Sequence, residues 1–338
     1  MSMLRECGAR LIREGICRHL LVRVGRGKEV LMEERMSTDA LPLDENTLFD
    51  MASVTKIVCT TTLALLAMEQ GRLSPEDQVS RFFVVPPAKS AMTVRHLLNH
   101  TMGIGHKSLV AADNTCDNIA AYILAIPSDV PIGSEVLYSC PGFVLLGKIL
   151  EQVFDLPLNV AFDRYVAKPL GLASTGFLPD RGRAIVNANP TEAERGVVND
   201  YNCRHLGGVA GNAGLFSTLS DMTRYVEWLQ GRGEPLLSRD TFDAAVQNGT
   251  ARLSASRALG FLYVDDRYRQ TGGQFAEGSI GHCGHTGQSV FVDLRDGFYV
   301  IILSDATAAV TEKYGKGHYD KVMDMRHDLH AAIKADLN

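Results

Sequence analysis

From Ser53 to Gln70 the chain runs without Gly or Pro, and its apolar residues do not keep to one side. Ile57, Val58, Leu63, Ala64, Leu65, Leu66, Ala67 and Met68 cover nearly the whole circumference of the helix they predict. A helix apolar all round belongs in a protein interior. Gly71 ends it, and Ser74-Pro75-Glu76-Asp77 reads as the N-cap, proline and first-turn acids of a following helix. Upstream, after an amphipathic N-terminal helix, residues 18–24 and 29–34 are β-rich and flank the hairpin signal Gly25-Arg26-Gly27-Lys28. Downstream, helical segments broken by Gly and Pro continue to about residue 250. They fall at 93–100, capped by Thr93, at 118–126, at 141–154 with a strong helical period, at 158–166, and at 220–229 with Ser220 and Asp221 as the cap.

From Leu259 the period returns to two. Residues 260–264, 279–285, 289–294 and 298–304 read as consecutive strands, with Arg295-Asp296-Gly297 turning between the last two. A helix over 316–335 follows. This order predicts an α/β lobe from residues 1–50 and 255–338, whose antiparallel sheet is flanked by the terminal helices. A helical lobe from 51–254 is inserted into it, and the active site lies between the lobes. The stretches 106–118, 176–212 and 306–316 carry no readable motif, although 206–214 is rich in tight glycine positions.

Composition narrows the function. At 338 residues, 46% apolar and 22% charged, the chain has the profile of a globular protein with a large core. A net charge of −5 gives no basic footprint for nucleic acid. The most apolar stretch, 57–68, falls short of the ~18 residues of a membrane span. The first residues are charged throughout and lack a signal core, so a cytoplasmic protein is expected. Seven cysteines, at 7, 17, 59, 116, 140, 203 and 283, are irregularly spaced and without a Cys-x-x-Cys pair, which points to free thiols.

The candidate chemistry starts at the head of the buried helix. Ser53 and Lys56 share one face of its first turn, so the amine lies near the hydroxyl. Unpaired first-turn amides and the helix dipole favour an oxyanion there, and burial favours a neutral lysine able to take the serine proton. Tyr138-Ser139-Cys140, just before the 141–154 helix, offers a tyrosine for proton transfer to a leaving group. Gly281-His282-Cys283-Gly284-His285-Thr286-Gly287 lies on and after a strand, where glycines let a carbonyl approach the backbone. A metal site from His282, Cys283, His285 and Cys203 or His205 is disfavoured, because strand alternation turns 282 away from 283 and 285. There is no Gly-x-Ser-x-Gly elbow, His-Glu-x-x-His or P-loop.

Together these pieces resemble the serine β-lactamase and penicillin-binding-protein superfamily, in particular its class C β-lactamase-related esterases and D-stereospecific peptidases. Phe49-Asp50-Met51-Ala52-Ser53-Val54-Thr55-Lys56 resembles the nucleophile motif, and Arg95-His96-Leu97-Leu98-Asn99-His100-Thr101-Met102-Gly103-Ile104 the segment after it. Tyr138-Ser139-Cys140 falls where relatives have Tyr-Ser-Asn or Tyr-Ser-Asp. Lys168-Pro169-Leu170-Gly171-Leu172 and residues 214–222 also fit. His282-Cys283-Gly284 takes the place of the Lys-Thr-Gly triplet, with His285 the runner-up for its first residue.

The resemblance implies a β-lactamase/transpeptidase-like fold and a serine hydrolase that works through an acyl-enzyme without metal or organic cofactor. It makes Ser53 the nucleophile, Lys56 the general base and Tyr138 the proton shuttle. His282 orients Tyr138 or the substrate, and the Ser53 and His285 amides form the oxyanion hole beside Gly284. Cys140 stands for an Asn or Asp, Cys283 for a Thr and His282 for a Lys. The first weakens the hold on a substrate amide or the support of the Lys, the other two the hold on a carboxylate, so a small ester or amide, or a short peptide, is expected rather than a penicillin or D-Ala-D-Ala. An acyltransferase using the same residues, or a non-catalytic binding member of the fold, is the alternative.

Overall fold

Strand β1 (His19–Arg26) and strand β9 (Phe298–Ser304) come from opposite ends of the chain and pair antiparallel, Leu20 against Ser304 through Arg26 against Phe298. They lie side by side in a six-stranded sheet ordered β2-β1-β9-β8-β7-β6, in which every neighbouring pair is antiparallel. The remaining strands of this sheet are β2 (Glu29–Ser37), β6 (Leu262–Tyr263), β7 (Ile280–Cys283) and β8 (Ser289–Val292). The structure is a computed structural model and describes residues 2–38, 41, 43–109, 119–189 and 191–338.

Period-two alternation divides the core between the two faces of the sheet. Leu20, Val22, Val24, Phe291, Val300 and Ile302 face a cluster completed by Leu4 and Leu11 of the helix Met3–Arg13 and by Met325, Leu329 and Ile333 of the helix Asp320–Leu337. Leu21, Val290, Val292, Ile301 and Leu303 face the opposite way, into the larger cluster of the helical region. Both faces are covered, which is why β8 and β9 read as unbroken apolar runs. The terminal helices lie together on one face, and Asp336 accepts hydrogen bonds from the first amides of the N-terminal helix, Met3 N and Leu4 N, at 2.7 and 2.8 Å. The antiparallel sheet is flanked by the terminal helices, as the sequence predicts.

The central helix is less regular than its sequence suggests. It opens as a 3₁₀ turn over Ala52–Val54, widens to π-helix over Lys56–Thr61 and becomes α-helical over Thr62–Glu69. With these ends included, Ala52–Glu69 reaches 18 residues at a mean hydropathy of 1.3, long and apolar enough to cross a membrane. It is instead a core element, 83% buried inside the molecule.

Other expectations need correction. Ser74-Pro75-Glu76-Asp77 starts no helix. Asp77 Oδ2 accepts from Ser74 N at 2.8 Å, closing a turn that leads to a short 3₁₀ segment at Val79–Arg81. The helix Leu219–Gln230 is capped by Thr218, whose hydroxyl accepts from Asp221 N, and not by Ser220 or Asp221. The 158–166 helix runs on through a π stretch and a further turn to Leu170. The featureless 306–316 stretch holds the helix Ala306–Tyr314, and the last helix begins only at Asp320. A second sheet of short strands, ordered β3-β5-β4, joins β3 (Phe49–Asp50), β5 (Leu215–Ser217) and β4 (Gly176–Phe177). The helix predicted at 118–126 is described as Ile119–Ala125, while Cys116 and most of 106–118 lie outside the described residues. The six described cysteines are free thiols.

Candidate active site

The small sheet delivers Ser53. Strand β3 pairs with β5, Met51 N donates to Leu215 O at 2.9 Å and Leu215 N donates to Thr55 Oγ1 at 3.1 Å, so the chain on both sides of Ser53 is fixed. Ala52 sits between, at φ +44°. A non-glycine residue there costs about 1–3 kcal/mol and persists only where its surroundings impose it. Buried Asp50 imposes it. Its Oδ1 accepts from Ala52 N at 2.8 Å, its Oδ2 from Asn199 N at 2.6 Å, and its carbonyl from Thr286 Oγ1 at 2.8 Å and from Gln288 Nε2. Burial raises the Asp50 carboxyl to about 6.

Two groups meet at the Ser53 hydroxyl. Lys56 Nζ donates to Ser53 Oγ at 2.9 Å, and the Tyr138 hydroxyl donates to the same oxygen at 2.6 Å. Lys56 is fully buried and saturated: Nζ also donates to Asn212 O at 2.9 Å and to Cys140 Sγ at 3.6 Å, over the rings of Tyr138 and Phe143. Tyr138 is carried on the segment just before the helix Cys140–Phe154, which Ser139 caps by accepting from Gly142 N.

The charge state of Lys56 differs from the expectation. Burial disfavours its ammonium, but the neighbouring Cys140 and Tyr138 outweigh burial and hold the pKa above the ordinary lysine value. Cys140 is shifted the complementary way. Burial pushes the thiol up, but Lys56 and a hydrogen bond from His106 carry it below the usual thiol range. Each member of the pair is thus shifted toward its charged form. Burial holds the Tyr138 phenol neutral, at about 12.

Strand β7 forms the facing wall. A Cβ on Gly284 would lie 2.7 Å from Met51 O and 3.4 Å from Ala52 Cβ, so the end of β7 packs directly on the nucleophile turn. His282 faces Tyr138, with ring centroids 6.1 Å apart and no hydrogen bond between them. His282 Nδ1 lies 2.7 Å from Cys283 O. A carbonyl only accepts, so Nδ1 carries the proton and Nε2 is a bare lone pair. Burial, with Lys56 and Arg257 nearby, keeps this ring neutral, well below the usual histidine range. Nε2 is buried without a partner. Cys283 Sγ lies 3.2 Å from the Tyr268 hydroxyl. His285 sits in the turn between β7 and β8, its ring stacked on Tyr319 at 4.7 Å. Of the two triplet registers, only His282-Cys283-Gly284 puts its first residue beside Tyr138.

Ser53, Tyr138, Cys140, His282, Cys283 and His285 all line one cavity of about 850 Å³. No group of three or more metal-ligating side chains gathers among the described residues. Several members of the site were not anticipated. Asn212 supplies a carbonyl to Lys56, and its side chain donates to Asp200 Oδ1 at 3.0 Å. Gly211 lets that loop touch the Cys140–Phe154 helix, for a Cβ there would lie 2.1 Å from Phe143 O. The glycine density of 206–214 was the one available signal. Arg257, Tyr268, Tyr319 and Arg326 also line the cavity, and no motif marks them.

Known proteins resemble this chain over most of its length. A protein of Escherichia coli (strain K12) provisionally named a D-alanyl-D-alanine carboxypeptidase is 26% identical over 321 residues, covering 82% of this chain and 72% of its own. Esterase EstB of Burkholderia gladioli is 26% identical over 313 residues, covering 78% and 79%. Among solved structures, EstCE1, described as a hydrolase with promiscuous acyltransferase activity, superposes with a TM-score of 0.75 at 24% identity over 96% of this chain and 97% of its own. A penicillin-binding protein homologue from Caulobacter crescentus gives 0.75 at 18% identity, over 99% and 96%. The Beta-lactamase family profile matches residues 19–320, and the chain belongs to that family.

Proposed function

We propose that this protein is a serine hydrolase that forms an acyl-enzyme on Ser53 and cleaves a small ester or amide, with weak or no β-lactamase activity. One observation carries the reading: Ser53 Oγ lies at a cavity wall within hydrogen-bond reach of both Lys56 Nζ and the Tyr138 hydroxyl. A nucleophile, a base and a proton donor are thereby in contact before substrate arrives.

The shift of Lys56 toward its ammonium sets the first step. Lys56 Nζ loses a proton, to Cys140 Sγ where that group is ionised or to solvent, leaving the amine. The amine then takes the Ser53 proton as Oγ bonds to the substrate carbonyl carbon. The amides of Ser53 and His285 receive the oxyanion, a contribution of ~3–4 kcal/mol per donor. As the tetrahedral intermediate collapses, the bond to the leaving group breaks, Tyr138 gives that group its proton, and Lys56 returns one to Tyr138. Water attacks the acyl-enzyme by the reverse proton path. A nucleophile other than water would give acyl transfer with the same residues. His282, neutral and an acceptor at Nε2, orients the Tyr138 ring or accepts a substrate N–H.

Hydrolysis of p-nitrophenyl butyrate and nitrocefin by the wild type and Ser53→Ala tests the reading. Ester turnover lost in the mutant, with nitrocefin turned over slowly or not at all, is the expected result. Equal rates in both proteins would move the assignment to a binding member of the fold.

A further inference from the structure

Among the described cysteines, Cys140 and Cys283 line the active cavity, and they differ in what touches the sulfur. Cys283 Sγ lies 3.2 Å from the Tyr268 hydroxyl. Cys140 Sγ has Lys56 Nζ at 3.6 Å and a hydrogen bond from His106, which lines the same cavity. Cys17, Cys59 and Cys203 are enclosed in the two cores, where burial pushes their thiols up. Cys7 sits on the N-terminal helix, and burial outweighs Arg10 to raise it as well. Of the described cysteines, only Cys140 combines a place in the cavity wall, an amine at its sulfur and a lowered thiol.

Unspent hydrogen-bonding capacity stands beside this contact. His282, a residue of the cavity wall that is 2% exposed, has its acceptor Nε2 without a partner. His100 holds the complementary orphan. Ser139 N donates to His100 Nδ1 at 3.0 Å, so the neutral ring carries its proton on Nε2, a donor without an acceptor among the described residues. The His100 ring packs on Tyr138 and Phe143, the two rings over which Lys56 Nζ lies. Buried donors and acceptors left unpaired are costly, and such costs are usual where a polar group is to be received.

We propose that Cys140 is a site of reversible oxidation by hydrogen peroxide, and that its sulfenate shuts the hydrolytic site by holding Lys56 as an ammonium. This inference rests on the serine hydrolase reading, whose failure is read separately below. The thiolate of Cys140 attacks one peroxide oxygen. An S–O bond forms as the O–O bond breaks, and the departing hydroxide takes the remaining proton. Thiolate and peroxide thereby become sulfenate and water, with sulfur oxidised, peroxide reduced and no other co-reactant. The new oxygen is an anionic acceptor beside Lys56 Nζ, and a charge-assisted hydrogen bond there outcompetes the contact with the neutral Ser53 hydroxyl. An amine held in this way cannot take the Ser53 proton. Two thiols reverse the step: the first forms a mixed disulfide and water, and the second releases Cys140 as the thiol.

The test treats the whole chain with hydrogen peroxide in the presence of dimedone, which traps sulfenic acids, and maps the labelled peptides. Label on Cys140 in preference to every other cysteine is the expected result. In a parallel sample without dimedone, full oxidation lowers p-nitrophenyl butyrate turnover by about 10²-fold or more, the loss expected without a general base, and dithiothreitol restores it. Lys56→Met reads the contact without catalysis. With the ammonium gone and burial unopposed, the labelling rate of Cys140 falls about tenfold for each unit by which its thiol rises. Label on another cysteine, full turnover with Cys140 oxidised, or an equal labelling rate in Lys56→Met would overturn the inference. Absence of Ser53-dependent turnover before peroxide is added would overturn the hydrolase reading, while the two labelling results still decide the role of Cys140.

Discussion

Lys56 Nζ lies 3.6 Å from Cys140 Sγ, and each shifts the other toward its charged form. The two titrate as a pair. Removing the anion leaves a buried ammonium without its counter-charge, and burial then lowers the lysine pKa. In Cys140→Ala the acid limb of kcat/KM for p-nitrophenyl butyrate therefore moves to lower pH, by about one unit for each ~1.4 kcal/mol of lost attraction. An unmoved limb would show that Cys140 does not set the base. The lowered thiol also predicts selective chemistry: methyl methanethiosulfonate inactivates the wild type, dithiothreitol restores it, and peptide mapping finds the adduct on Cys140.

Tyr138→Phe keeps the ring against His100 and His282 but deletes the hydroxyl at 2.6 Å from Ser53 Oγ. Loss of a general acid lowers kcat by about 10²–10⁴. Alkyl esters, whose leaving groups need a proton, should suffer more than p-nitrophenyl esters. Equal losses on both would assign Tyr138 a positioning role only.

Gly284→Ala tests the contact between β7 and the nucleophile turn. The added methyl meets backbone, the Met51 carbonyl at 2.7 Å, and backbone gives way only by moving the wall. A fall in kcat with a folded, near-wild-type circular dichroism spectrum is expected, since a 1 Å displacement of a reacting group costs about 10²-fold. Full activity would mean that the β7 end does not form the oxyanion wall.

Stability should fall as pH drops from 7.5 to 5. His100, His282 and His330 are buried, and burial holds all three below the ordinary histidine value, His330 at about 3. Below the unfolded value of ~6.5 the unfolded chain binds protons that the folded chain refuses, costing ~1.4 kcal/mol per pH unit for each histidine. Asp50 opposes them. Its carboxyl, raised to about 6, takes up a proton in the folded state first and offsets one histidine below pH 6. Urea denaturation followed at pH 7.5, 6 and 5 should give falling midpoints, and constant midpoints would contradict the burial of these rings.

The large sheet was legible because β1, β2 and β7–β9 are short β-rich runs separated by turn signals, and the nucleophile because Ser53 and Lys56 fall one turn apart. What escaped was set by tertiary contact. Strands β3 to β5 are two or three residues long, too short to show a period. The π widening at Lys56–Thr61 has no composition signature. The Lys56 charge depends on Cys140, 84 residues away in sequence. Arg257 and Arg326 look like ordinary surface arginines until the fold turns them inward.

Trapping the acyl-enzyme tests the central claim most directly. The wild type, mixed with p-nitrophenyl butyrate, quenched in acid and digested, should carry one butyryl group on the peptide containing Ser53, with a matching burst of p-nitrophenolate. Ser53→Ala should show neither. A butyryl group on another residue, or turnover without any covalent species under quench conditions that preserve esters, would contradict the assignment of Ser53 as nucleophile.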